Sequence, residues 1–388
     1  MTTKKNILIL SSRFPFPLEK GDKLRLYHQI KSLAAQYNVF LFSVSDSPIS
    51  DEVLDELKPW IKEVYIDVQA AWKRPFKLLK ACFSPLPFQV AYFYNTKAKN
   101  ELNTLFKTWK IDAVYCQLIR MMPYAEDFKG LKIIDFMDAF SLNLERRLSS
   151  QNSLMRLVVK WELTKTKTYE QKALQLFDKQ IIISQTDADF IKPNSTISLI
   201  KNGVDFDYFE SKTPKQNKTY DLVFVGNMQY RPNVLAAQFL VQQILPLLEP
   251  NTKVLLAGAQ PTKDILELQG EQVTVSGWMD DIRDAYADAQ LFVAPLFTGS
   301  GLQNKLLEAM ALGLPVLTTD LANASLEAKN KVDILIENSA EGFADQIKKA
   351  LENPEELLAQ TASAKTFVRQ HYSWEQHNKK LIQLFENQ

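Results

Sequence analysis

Residues 291–320 read LFVAPLFTGSGLQNKLLEAMALGLPVLTTD. An apolar strand, LFVAPL, runs into a loop of small residues, LQNKLLEAMALG then reads as a helix, and PVLTT resumes as strand. Gly313 suits the left-handed position that closes a helix. Two continuously apolar strands with a helix between them form a piece of parallel sheet covered by helices. The junction from loop to helix, at Gln303 to Lys305, offers unpaired amide donors at the positive end of a helix, and small residues let a ligand approach the backbone. Adding the Lys305 ammonium makes a seat for phosphate. One turn further on, Glu308 stands among Leu306, Leu307, Ala309, Met310 and Ala311. A carboxylate buried there needs donors, and two ribose hydroxyls would supply them. Phosphate beside ribose describes a nucleotide, whereas an i,i+3 surface pair between Lys305 and Glu308 is the plainer alternative.

Outward from this unit the same pattern recurs. NILILSS, NVFLFSVS, EVYIDV, AVYCQL, KIIDFMD and QIIISQ in the first half, and YDLVFVG, KVLLAG, QVTVSG, LFVAPL, PVLTTD and VDILIE in the second, alternate with amphipathic stretches. This is an α/β protein built twice. The polar run FDYFESKTPKQNKTYD reads as the break, giving domains at 1–205 and 220–372, a linker at 206–219, and a closing helix at 373–388 that docks back on the first domain. In such sheets ligands sit beyond the carboxyl ends of the strands, so the chemistry belongs in loops that follow strands.

At 388 residues two cores are expected. A formal net charge of +1 gives no general pull toward nucleic acid. Cys82 and Cys116 have no metal-like spacing and read as two core thiols of a reducing cytoplasm. The first residues, MTTKKNILILSS, read as a strand and not as an export signal, and no stretch has the run of apolar residues that spans a membrane.

The glycine-containing loop followed by K-L-L-E-A-M-A-x-G-x-P-V resembles the donor-site signature of the retaining glycosyltransferases of family 4, whose Q-N-K-x-L-E-A-M-A variant is similar to sugar transferases associated with exopolysaccharide gene clusters. The resemblance implies a GT-B fold: two facing Rossmann-like domains with parallel sheets and an interdomain cleft. It also implies that Glu308 holds the nucleotide ribose. The family's usual second glutamate, eight positions earlier, is Ser300 here, a hydroxyl that bonds sugar without charge, so sugar contacts shift to Gly301, Leu302, Gln303 and Asn304.

By the same resemblance Gly226, Asn227 and Arg231 in YDLVFVGNMQYRPN meet the diphosphate, with Arg231 as a second phosphate cation. Gly277, Trp278 and Met279 frame the nucleobase. IKNGVDFDYF matches the passage that closes the first domain, and its Asp205-Phe206-Asp207 reads as a turn and not as a metal site. In SSRFPFPLEKGDKLRLYHQ, Gly21, Asp22 and Arg25 line the cleft, while His28 reads as a helix-surface residue. Asp138 follows a strand where relatives orient the acceptor hydroxyl, and it reads equally as a cap for the helix near Ser141. AWKRPFKLLKACF, residues 71–83, mixes four basic residues with aromatics and leucines, which suits either an anionic membrane or a solvated helix face.

The resemblance therefore implies transfer of a hexose from a UDP- or GDP-sugar to a saccharide or lipid-linked saccharide hydroxyl, with retention and without metal or other cofactor, in the cytoplasm or on the inner face of the cell membrane. Lys305, Arg231 and the helix amides would stabilise charge developing on the diphosphate. A nucleotide-sugar epimerase, a two-lobed binding protein and a non-catalytic homologue with Ser300 as its lesion are the rival readings.

Overall fold

All twelve apolar runs are strands in the computed structural model, which describes residues 4–18, 20–70, 72, 74–148, 153–194, 196–299 and 301–386. Two compact units result: Met1–Lys201 with His377–Gln388, and Asn202–Gln376.

The first unit holds β1 (Asn6–Ser11), β2 (Asn38–Ser45), β3 (Glu63–Val68), β4 (Ala113–Gln117), β5 (Leu131–Asp135), β6 (Lys179–Ile182) and β7 (Ser198–Leu199). Their order is β3-β2-β1-β4-β5-β6-β7, parallel throughout. The register sets Ile7 opposite both Val39 and Ala113. All of β4 is buried, as expected of a strand covered on both faces. Leu26, Ile30 and Leu33 from the helix Gly21–Ala34 pack on Ile7 and Ile9. Leu381 and Phe385, from the helix Trp374–Glu386, enter the same core, with the Phe385 ring 5.6 Å from Tyr37 and 6.4 Å from Tyr115. Each such burial is worth about 1.5–3 kcal/mol.

The second unit holds β8 (Tyr220–Val225), β9 (Val254–Ala257), β10 (Val273–Gly277), β11 (Ala289–Ala294), β12 (Val316–Thr318) and β13 (Leu335–Ile336), in the order β10-β9-β8-β11-β12-β13 and again parallel. Strand order therefore reverses between β1 and β4 in one sheet and between β8 and β11 in the other. The helix Asn304–Leu312 ends at Gly313, whose φ of +91° lets its amide reach the carbonyls of Ala309 and Met310.

Three sequence expectations need correction. The polar run at 206–219 is not free coil: Asp205 caps the helix Phe206–Glu210, the Lys215 amide bonds the Ala287 carbonyl, and the Thr219 amide bonds Asp288, so the run is packed into the second unit and the boundary falls at Lys201. His28 is buried, because the C-terminal helix covers it: Asn378 Nδ2 donates to the His28 carbonyl at 3.0 Å. Cys116 is buried, and burial pushes its thiol pKa well up, but Cys82 is exposed.

Candidate functional site

In the second unit the strand-order reversal brings together the turn after β8 and the loop after β11, where a doubly wound sheet receives its ligand. Lys305 Nζ donates to Asn233 Oδ1 at 2.5 Å, and Asn233 Nδ2 donates to the Asn227 carbonyl at 2.9 Å. The ammonium also lies 5.2 Å from the Phe224 ring centre. Gly226 leaves room for this pair, since an added Cβ would stand 2.6 Å from Asn233 Nδ2 and 3.3 Å from Lys305 Nζ. Among the described residues no carboxylate forms an ion pair with Lys305, and burial, only partly offset by Glu308, pushes its pKa down to about 8. A largely covered ammonium held by a neutral amide is a cation awaiting an anion.

Glu308, one turn along, turns elsewhere: its Oε2 accepts from Tyr286 Oη at 2.8 Å, and burial raises its pKa. Lys305 and Glu308 are therefore not a surface pair. Each keeps part of its surface accessible, and no side chain caps the start of their helix. Backbone amides, an ammonium and a carboxylate thus line one helix end, a set that matches a phosphate and a diol.

The surrounding residues fall into place unevenly. Gly277 ends β10 with φ +66°, and its carbonyl accepts the Gly258 amide at 3.1 Å; Gly258, at φ +136°, stands so close to Gly226 that a Cβ would lie 1.9 Å from the Gly226 oxygen. Asn227 Oδ1 holds the Gln229 amide, Gln303 Nε2 bonds the Gly301 carbonyl, and Asn304 Oδ1 accepts from Asn202 Nδ2 at 3.4 Å. Leu302 and Met279 pack partly on the core, whereas Trp278 is 58% exposed. Ser300 lies outside the described residues. The exposed guanidinium of Arg231 lies 3.9 Å from Asp264, and among the described contacts none joins it to Lys305 or Glu308. It stands at the first turn of a helix, with Pro232 next to it, and is 68% exposed. Asp205 is a helix cap, accepting from the Tyr208 amide at 3.0 Å. Asn233, Tyr286 and Gly258 are contributors that sequence reading missed.

In the first unit the reversal lies between β1 and β4. Arg13 Nη1 meets Asp22 Oδ2 at 2.5 Å, Gln117 Nε2 donates to the Asp22 carbonyl at 2.8 Å, and Gly21 faces open space. Leu118, directly after β4, and Met137, two residues past the end of β5, take positive φ values of 69° and 59°, the kind of backbone strain that gathers at working sites. Arg25 corrects its reading as a cleft residue: it is fully buried, with Nε 2.6 Å from Asp135 Oδ2, which also accepts from Tyr115 and Gln29. Its charge is used inside the fold and cannot meet a ligand.

Asp138 is not the helix cap. The amides of Ala139 and Ser141 go to Asp187 Oδ1 and Glu170 Oε1, both at 3.1 Å. Burial, with Asp187 and Asp135 nearby, pushes the Asp138 pKa up to about 7, a value suited to moving a proton near neutrality. Arg120, which the sequence did not mark, donates twice to Gln89 Oε1 (3.2 and 2.8 Å) and lies over the rings of Phe93 and Phe140; burial and nearby Arg13 lower its pKa to about 10.

Residues 219–353, which hold Lys305, Glu308 and their partners, match the model of the family described as Glycosyl transferases group 1. The matched stretch lies wholly within the second unit. A Klebsiella pneumoniae protein described as an uncharacterized 44.6 kDa protein in the cps region is 20% identical over 94% of this chain and 96% of its own. The putative teichuronic acid biosynthesis glycosyltransferase TuaC of Bacillus subtilis is 29% identical over 32% of this chain and 31% of its own. The structure of Anabaena Alr3699/HepE in complex with UDP-glucose aligns with a TM-score of 0.69 at 14% identity, over 99% of this chain and 100% of that one. The fold is that of the GT-B glycosyltransferases, and together with the group 1 domain it supports a glycosyltransferase.

Proposed function

We propose that the protein transfers a sugar from a nucleotide-diphosphate sugar to an acceptor hydroxyl in the building of a polysaccharide. The carrying observation is Lys305: a covered ammonium, bonded to an amide, beside uncapped helix amides at the switch point of the second sheet. The teichuronic acid glycosyltransferase and the cps-region protein among the relatives support the polysaccharide setting, and the UDP-glucose complex of the Anabaena protein supports a uridine nucleotide as first candidate.

In this reading the diphosphate sits against Lys305 and the amides of the 304–312 helix, and Glu308, steadied by Tyr286, takes the ribose hydroxyls. As the bond from anomeric carbon to phosphate breaks, charge grows where the ammonium and amides already point, an effect worth several kcal/mol. The leaving phosphate takes the acceptor proton on the same face, giving retention, and Asp138 orients the acceptor hydroxyl. No step calls for a metal.

The test is nucleotide release from UDP- and GDP-sugars, with melting shifts in the same nucleotides. Wild type is expected to release nucleotide. Lys305→Ala is expected to lose about a hundredfold or more in kcat with its melting temperature little changed. Glu308→Ala is expected to lose most of the nucleotide-induced shift. Identical shifts in all three proteins, with no release by wild type, would refute the reading.

A further inference from the structure

A guanidinium without a counter-charge stands where the first sheet receives its ligand, past the end of β4 at the reversal of strand order. After the positive φ of Leu118 the chain turns into Ile119–Met121, which carries Arg120. Nε and Nη2 of Arg120 both donate to Gln89 Oε1, a neutral amide, and Cζ lies 5.2 Å from the Phe93 ring centre and 4.9 Å from that of Phe140. Among the described residues no carboxylate forms an ion pair with it. Asp22, close by, gives its Oδ2 to Arg13 at 2.5 Å instead. Burial, with Arg13 nearby, pushes the Arg120 pKa down to about 10, so the cation is held at a cost that a facing anion would remove.

Packing alone does not call for this charge, since a leucine or methionine would fill the space between the rings without it. The edge formed by Nε and Nη2 is taken by Gln89, and among the described residues nothing accepts from Nη1. The edge formed by Nη1 and Nη2 is a flat pair of donors matched to two oxygens of one anion. Aromatic rings alongside keep water from screening it. Phe140 begins the helix that follows Asp138 by two residues, so the ring beside the guanidinium and the carboxyl of Asp138 belong to one turn of chain. Asp138 is near enough for its field to act on Arg120, yet no described bond joins them, and both keep part of their surface accessible.

We propose that the acceptor carries an anionic group, a carboxylate or a phosphate ester, and that the open edge of Arg120 holds it while Asp138 takes the attacking hydroxyl. The acceptor is then an acidic sugar or a sugar phosphate. The role of Asp138 rests on the transferase reading, whereas the anion site stands on the first unit alone. Arg13 is already paired with Asp22, so the unmatched charge is that of Arg120. A neutral acceptor would leave that cation as it stands in the free protein and gain nothing from it, which makes the selection one of charge.

The experiment is binding of methyl β-glucuronide, methyl β-glucoside 6-phosphate and methyl β-glucoside to the full chain without donor, followed by NMR titration. Because no sugar is transferred, its failure is distinct from failure of the nucleotide-release assay. Wild type is expected to bind one or both anionic glycosides about tenfold or more tighter than the neutral one, and the tighter of the two separates carboxylate from phosphate. Arg120→Gln is expected to bring anionic binding down to the neutral level, with neutral binding and the UDP-induced melting shift as in wild type. Should that variant misfold, Arg120→Lys decides: it keeps the charge without the fork and is expected to bind the anionic glycosides severalfold more weakly than wild type and the neutral one equally well. Equal binding of charged and neutral glycosides by wild type, no binding of either anionic glycoside, or an undiminished preference in a folded variant would overturn the proposal. So would a UDP-induced shift present in wild type and lost in Arg120→Gln, which would assign the cation to the donor.

Discussion

Lys305 is an ammonium with an amide where a carboxylate would ordinarily stand. With its pKa pushed down to about 8 by burial, the free protein loses the charged form as pH rises through that value, whereas a bound diphosphate would hold the proton on. The sign is therefore definite: kcat/KM should fall above about pH 8, and Lys305→Arg should move that limb out of the accessible range at some loss in kcat. A pH–rate profile on both proteins checks this, and a wild-type limb that stays flat would contradict it. Lys305 and Glu308 were legible in the sequence because two charges on an apolar helix are conspicuous. Their partners were not, since Asn233 is an ordinary amide 72 residues away and Tyr286 an ordinary core aromatic 22 residues away. Arg25 misled for the converse reason. An arginine after an irregular loop is usually solvated, and nothing local shows that Asp135, 110 residues on, will draw it inside.

Among the elements, the ends of β8, β9 and β10 meet so tightly that one residue type is possible at the crossing. Gly258→Ala would set a Cβ against the Gly226 oxygen in a backbone conformation that side chains avoid. It should destabilise the second unit by about 3 kcal/mol or more, read by denaturant unfolding, and weaken nucleotide binding with it. Wild-type stability in that variant would mean that the three strand ends are looser than described. The strands themselves were plain from sequence because continuous apolar runs of this length have few other uses. β7 was not, because two residues carry no pattern. The polar run after residue 205 misread as linker because composition reports solvation, while its order comes from backbone hydrogen bonds to Ala287 and Asp288 that composition does not record.

Across the whole molecule, the first unit is assembled from two separated pieces of chain, and the second from one. Leu381→Ala should therefore destabilise the first unit by about 2–5 kcal/mol while the second keeps its stability, although the substitution lies near the end of the chain, beyond all of the second unit's residues. Two-step unfolding, followed by limited proteolysis, would display this as a shift of one transition only. A ribosome delivers polypeptide from the amino end, and domains generally form as units while they emerge. Here Met1–Lys201 must wait for His377–Gln388. Until His377–Gln388 clear the exit tunnel, the groove between Tyr37 and Tyr115 that Phe385 fills stands open and oily. The later-born unit can mature ahead of the one that preceded it, and a chain cut short before residue 377 would hold a finished second unit and an unfinished first.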